Sequence, residues 1–301
     1  MKRGLGLFFI AAVIIFSVAP IISANPFSDF WGKLTGQATS GSTSLNITVG
    51  NNAPTIPIVQ SISAQNPTED SVTSVRVNFT VNDADGYSNI NTSSAKAYFQ
   101  KSGQTTRSNT SCVSYQSGGN QVNFTCLINM YYFDGSGSWT INVTGDDINS
   151  AHAENSSTTF TYNLLTAMKI SPSSLTFPSI SLTDTNTGAT NNPITVNDTG
   201  NANNLNLNVT AYNLRGETTT NQYIYANNFT VDNVTAGCSG VAMANATSVK
   251  ITNQLSSGNH TVNDGSTGQK PLYFCLKGVP PTISSQSYSS SAYGSWTIAA
   301  S

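Results

Sequence analysis

Charge is what this sequence has least of. Only 9% of its 301 residues are Asp, Glu, Lys or Arg, against about a quarter in an ordinary soluble domain. Twelve Lys+Arg face fourteen Asp+Glu. That balance leaves no basic stripe to displace counterions from phosphates, so nucleic acid is not an expected partner. Histidine is nearly missing as well, with His152 and His260 far apart in sequence. A Cys/His metal site and a Ser–His–Asp set both lack material. There is no G-x-S-x-G, no H-E-x-x-H and no phosphate-cradling glycine loop. The expectation is a protein that is not an enzyme and needs no cofactor. A glycosidase, which requires only two carboxylates, is the formal exception.

Neutral polar residues fill the gap. The chain has 35 Asn, 41 Ser and 38 Thr, together 114 of 301 residues. Such a composition could belong to a disordered chain, but 38% hydrophobic residues, 13 Phe and 12 Tyr supply a core.

The N-terminus reads as an export segment. Lys2 and Arg3 precede an apolar run over 5–18, and Ile22-Ser23-Ala24 offers a small residue for cleavage. The stretch 5–22 also reaches the lower limit of a membrane span. Residues 1–24 are therefore a cleaved signal peptide or a retained anchor, and either puts the remainder outside the cytoplasm. The membrane is reached only through this segment. Four cysteines fit an oxidising compartment. Their spacing pairs Cys112 with Cys126 and Cys238 with Cys275, and neither pair is C-x-x-C.

Residues 25–52 read as a linker, Gly/Ser/Thr-rich over 36–44 and ending in one strand over 44–49, where Leu45, Ile47 and Val49 alternate with polar residues. Alternation and turn residues then predict strands at 75–81, 95–100, 121–128, 138–143 and 158–162, forming a first domain over 53–165. A second domain, 166–301, carries strand patterns at 168–170, 174–177, 194–196, 205–211, 229–231, 249–252, 272–276 and 295–298. Many short strands without a long helical pattern predict an all-β chain of two tandem antiparallel sandwiches. One segment occurs twice: Gly137-Ser138-Trp139-Thr140-Ile141 is identical to Gly294-Ser295-Trp296-Thr297-Ile298. The first copy is followed by the strand at 158–162, and no strand is legible after the second.

Thirteen Asn-x-Ser/Thr acceptors are present, of which seven have Ile, Phe or Val in the middle: Asn46, Asn78, Asn123, Asn142, Asn208, Asn228 and Asn233. On a strand, period 2 turns such an Asn to solvent while its neighbour enters the core. Asn is a poor strand former. Its repeated use there predicts glycosylation. Asp83-Ala84-Asp85-Gly86 and Asp146-Asp147 carry the oxygens Ca²⁺ favours, although the 12-residue calcium-loop spacing is missing and Asp-Gly is also ordinary turn chemistry.

Asn52-Ala53-Pro54, Val81-Asn82-Asp83-Ala84-Asp85-Gly86 and Trp139-Thr140-Ile141-Asn142-Val143 together resemble immunoglobulin-like modules of archaeal surface proteins. Ser171-Pro172-Ser173-Ser174-Leu175-Thr176-Phe177 looks like the opening of a secreted sandwich domain of the same kind of protein, and Trp296-Thr297-Ile298 is faintly similar to W-x-L wall-binding domains. The resemblance implies an envelope role of S-layer or adhesin type, with other surface proteins, glycans or further copies as partners. It supplies no catalytic residue. Two other readings stand beside it. One is a filament subunit in which residues 44–49 of a neighbour close the second sandwich by strand exchange. The other is a carbohydrate-binding module or glycoside hydrolase using exposed aromatics.

Overall fold

A computed structural model describes residues 45–234 and 237–301. The leader and most of the linker lie outside the described residues. Residues 45–50 are exposed and belong to no strand, which corrects the strand expected at 44–49. Alternation makes a segment able to pair, but a strand forms only against a partner.

Residues 51–301 form one compact unit. It is all-β: among the described residues the only helical turns are four short 3-10 segments. The first eight strands are β1 (Thr55–Val59), β2 (Val72–Asn82), β3 (Lys96–Gln100), β4 (Arg107–Asn109), β5 (Val113–Gly118), β6 (Gln121–Tyr131), β7 (Gly137–Asp146) and β8 (His152–Tyr162). They form two antiparallel sheets in the orders β1-β2-β6-β5 and β4-β3-β7-β8. The longest pairing, β2 on β6, runs in register from Val72 opposite Tyr131 to Asn82 opposite Gln121.

The alternation along these strands decides which face is buried. Val75, Val77, Phe79 and Val81 from β2 meet Phe124, Cys126, Ile128 and Met130 from β6. The other sheet gives Phe99, Trp139, Ile141, Val143, Phe160 and Tyr162 to the same core. Phe79 stacks on Phe124 at 5.4 Å, and Phe99 lies 4.6 Å from Phe160.

The remaining strands are β9 (Met168–Ser171), β10 (Thr187–Gly188), β11 (Ile194–Asp198), β12 (Leu205–Ala211), β13 (Leu214–Gly216), β14 (Tyr223–Ile224), β15 (Phe229–Asp232), β16 (Val241–Ala242), β17 (Thr247–Leu255), β18 (Gln269–Leu276), β19 (Tyr288–Ser289) and β20 (Thr297–Ala300). One sheet is ordered β16-β15-β18-β11-β9, with β10 also on β18; a second is β17-β12-β20; a third, small sheet is β14-β13-β19. The first two share a separate core that includes Val196, Leu207, Val209, Phe229, Val231, Leu255, Leu272 and Phe274. The strand expected at 174–177 is irregular, and the last strand begins two residues later than its pattern suggested. Ser174 and Thr176 are held by the Asn191 side chain rather than by a sheet partner.

Candidate functional sites

The sequence singles out four sets of residues, and the fold puts them in different places. Four of the seven acceptor asparagines behave as the period of a strand demands. Asn78, Asn123, Asn142 and Asn208 are partly exposed, while Phe79, Phe124, Val143 and Val209 beside them are buried; Asn228, also partly exposed beside buried Phe229, ends a 3-10 turn just before β15. Their amide groups form bonds along the outer faces. The Nδ2 of Asn78 donates to Gln60, that of Asn123 to Gln116 and that of Asn142 to Glu154. Asn233 follows β15 with Val234 56% exposed, and Asn46 lies in the irregular exposed segment beside Ile47. At neither position does a strand set the direction of the side chain.

The four aspartates gather at one end of the first sandwich, where three of them bind amides. Asp83 is fully buried and accepts from the Asp85 amide at 2.8 Å and from Asn89 at 3.2 Å. Asp85 accepts the backbone and side-chain N–H of Asn52, and these bonds hold its carboxyl below the usual range. Burial pushes the Asp147 carboxyl up, but bonds from Asn51, Ala151 and Asn149 outweigh it and leave it lowered. Asp146 pairs with His152 on the surface at 2.5 Å. Among the described residues, no group of three or more His, Cys, Asp or Glu side chains is placed to hold a metal. The cluster's visible work is mechanical: it fastens Asn51 and Asn52 to the loops after β2 and β7.

Cys112 and Cys126 form one disulfide and Cys238 and Cys275 the other. Disulfides form and persist in oxidising compartments, and these two suggest such an environment for the folded chain. In the chain-entropy model each removes about 3–4 kcal/mol of denatured-state freedom. The first ties the segment before β5 to β6, and the second ties a 3-10 turn to β18.

A further cluster was not legible in the sequence. Arg107, on β4, is 5% exposed, and Asp134, in the turn after β6, is completely buried. The Arg107 Nε donates to both carboxylate oxygens at 2.9 and 3.0 Å, the guanidinium carbon lies 4.5 Å from the Tyr131 ring centre, and Nη1 donates to Asn263 from the second half. Asn201 donates to the Asp134 carbonyl, and Thr105 donates its N–H to His260. Together these bonds stitch the two halves. The one available signal was rarity: an Arg on a short strand in a chain with 9% charge invites a search for its partner.

Aromatic side chains divide similarly. Trp139 is fully buried and offers no face to a sugar, whereas Tyr223, Tyr225 and Tyr293 cluster at the surface with ring centres 6.2 Å apart. His152 and His260 lie in separate settings, one with Asp146 and the other with Thr105. Two shallow polar depressions are present. One, of about 500 Å³, is lined by Gln100, Lys101 and Ser138; the other, of about 370 Å³, lies at the junction beside Phe133 and His260. No protein-family model and no curated protein matches the chain.

Proposed function

We propose that this chain is an exported, N-glycosylated structural or adhesion protein of the cell surface. In this reading it is built from tandem immunoglobulin-like sandwiches and acts through non-catalytic contacts with other surface proteins, glycans or further copies of itself. The observation that carries the proposal is the set of acceptor asparagines on outer strand faces, each beside a core residue. Asn is a poor choice for a strand surface unless it serves a purpose, and a glycan both supplies that purpose and solubilises a face that has almost no charge.

The strand orders support the fold part of the reading. In immunoglobulin-type sandwiches, strands A-B-E-D form one sheet and C-F-G the other. The orders β1-β2-β6-β5 and β4-β3-β7-β8 follow that scheme with one added strand beside C. The disulfide departs from it, because it ties Cys126 of β6 to Cys112 in the segment just before β5 instead of joining strands of the two sheets. The disulfides also favour a location beyond the cytoplasm.

Intact-mass and glycopeptide mass spectrometry on the native protein, with and without reduction, tests the proposal. The expected result is a mass above that of the polypeptide, with glycan on peptides covering Asn78, Asn123, Asn142 or Asn208. A native protein of bare polypeptide mass, recovered from the cytoplasmic fraction, would overturn it.

A further inference from the structure

The repeated pentapeptide compares one sequence in two settings. In the first, β7 has strands on both sides, β3 and β8, and Trp139 and Ile141 are 0% exposed. In the second, β20 pairs with β12 alone; among the described residues no strand pairs with its outer edge. There Trp296 and Ile298 are only partly buried, as is Ala300 beyond them. The missing cover can be identified from the first setting. Strand β8 supplies Phe160 opposite Trp139 and Tyr162 opposite Gly137, and both are buried. The difference extends through each core: Val59 and Ile62 are the partly buried hydrophobics against the first, while thirteen such residues border the second.

An exposed edge of this kind is usually blunted by charge, proline or a bulge. Residues 296–301, Trp-Thr-Ile-Ala-Ala-Ser, contain neither charge nor proline. The chain also holds a segment of matching character. Leu45, Ile47 and Val49 are 81%, 70% and 83% exposed, alternate with Asn46 and Thr48, and belong to no strand. Neither this segment nor the edge has a charged side chain that would repel or need solvating.

We infer that the outer edge of β20 accepts residues 45–49 of a second copy of this chain as an added strand, so that copies join head to tail. Leu45, Ile47 and Val49 would cover the core side, as Phe160 and Tyr162 do in the first sandwich, and Asn46 and Thr48 would face solvent. An Asn46 glycan is compatible with that orientation. The donor is rooted at Asn51, which is held by Asp147 and Asn89 at one end of the first sandwich. The second half joins at the other end, through Asp70–Lys169 and Asn201–Asp134. At about 3.3 Å per residue, the eleven-residue β2 keeps those ends roughly 33 Å apart. Six extended residues cover at most about 20 Å, too short to pass back along the first sandwich. A donor at one end and an acceptor beyond the other make a heterologous contact, which repeats into rings or open chains of subunits. This deepens the structural reading above and relies on it only for where assembly takes place.

The test uses the full exported chain, examined by size-exclusion chromatography with light scattering and by negative-stain electron microscopy. The wild type is expected to form a ladder of chain multiples at micromolar concentration. Ile47→Asp is expected to collapse the ladder to a monomer that melts like wild type diluted to the monomer, because Ile47 is 70% exposed and the stability lost is that of the added strand. Separately, chains carrying Thr48→Cys mixed with chains carrying Ala299→Cys are expected to give a disulfide-linked dimer, and a Ser114→Cys partner is not. A wild type that stays monomeric, a ladder that survives Ile47→Asp, or failure of the mixed cross-link would each overturn the inference. None of these results bears on glycosylation or export, so the two proposals fail separately.

Discussion

Asp198 shows how one buried side chain sets a pH response. Its carboxyl is completely buried; Oδ1 accepts from the Gly200 amide at 2.8 Å, and Oδ2 has no partner. Burial pushes its pKa up to about 6, and the Gly200 bond offsets only part of that. In the unfolded chain an aspartate titrates near about 3.9. Between those values the folded state holds a proton that the unfolded state has released, so stability falls as pH rises through the window. Asp85, Asp147 and Asp264, whose carboxyls are lowered, act in the opposite sense and lose their contribution in acid. The two effects are separated by comparing wild type with Asp198→Asn in urea unfolding at pH 4, 5, 6 and 7. The variant is expected to gain on wild type steadily from pH 4 to 6 and to level off above. A constant difference across the range would show that Asp198 titrates normally.

At the level of strands, the two copies of Gly-Ser-Trp-Thr-Ile predict unequal costs for equal substitutions. Removing a fully buried Trp leaves a cavity and typically costs about 3–5 kcal/mol. Trp139→Ala is expected to fall in that range, since its ring is enclosed and its indole N–H bonds the Gly135 carbonyl. Trp296 packs edge-on against Phe229 at 5.1 Å and bonds the Tyr212 carbonyl, yet it remains partly exposed. Trp296→Ala in the monomer is expected to cost clearly less, and chemical denaturation of both variants provides the comparison. The contrast also marks how much the sequence disclosed. Strands such as β2, β6, β7 and β12 were legible because they alternate strictly and one face is buried, which is the condition under which period 2 carries information. Strand β12 was read to the residue; β5, exposed along its whole length, has no such contrast and was missed. The short strands β13, β14, β16 and β19 form only two- or three-residue ladders, too brief to leave a pattern. Asn78 and Asn142 could be assigned to outer faces from local spacing. Arg107 could not be joined to Asp134 and Asn263, because contacts spanning 27 and 156 residues leave no mark in local order.

Over the whole molecule, the junction between the two cores decides whether they unfold together. Its exposed ion pair, Lys169 with Asp70, is of the kind worth about 0–1 kcal/mol. The buried contacts carry more. Asn201 donates to both Asp134 and Asn163, Thr199 donates to Glu69, and Arg107 reaches Asn263. At the centre, Tyr132 from the turn after β6 lies against Gly265, and Phe133 lies against Gly258. A Cβ on Gly265 would collide with the Tyr132 hydroxyl, and one on Gly258 would meet the Gly265 Cα at 2.7 Å. Gly265 lies outside the positive-φ glycines, so alanine there is opposed by space and not by backbone conformation. Overpacking of this sort typically costs about 1–3 kcal/mol, and here the strain falls on the contact between halves rather than on either core. Gly265→Ala is therefore expected to split a single calorimetric transition into two, whereas Lys169→Ala is expected to leave one transition with its midpoint nearly unchanged. Two transitions already present in the wild type would mean that the buried contacts do not couple the cores. One undivided, lowered transition in Gly265→Ala would mean that the junction yields without releasing either half.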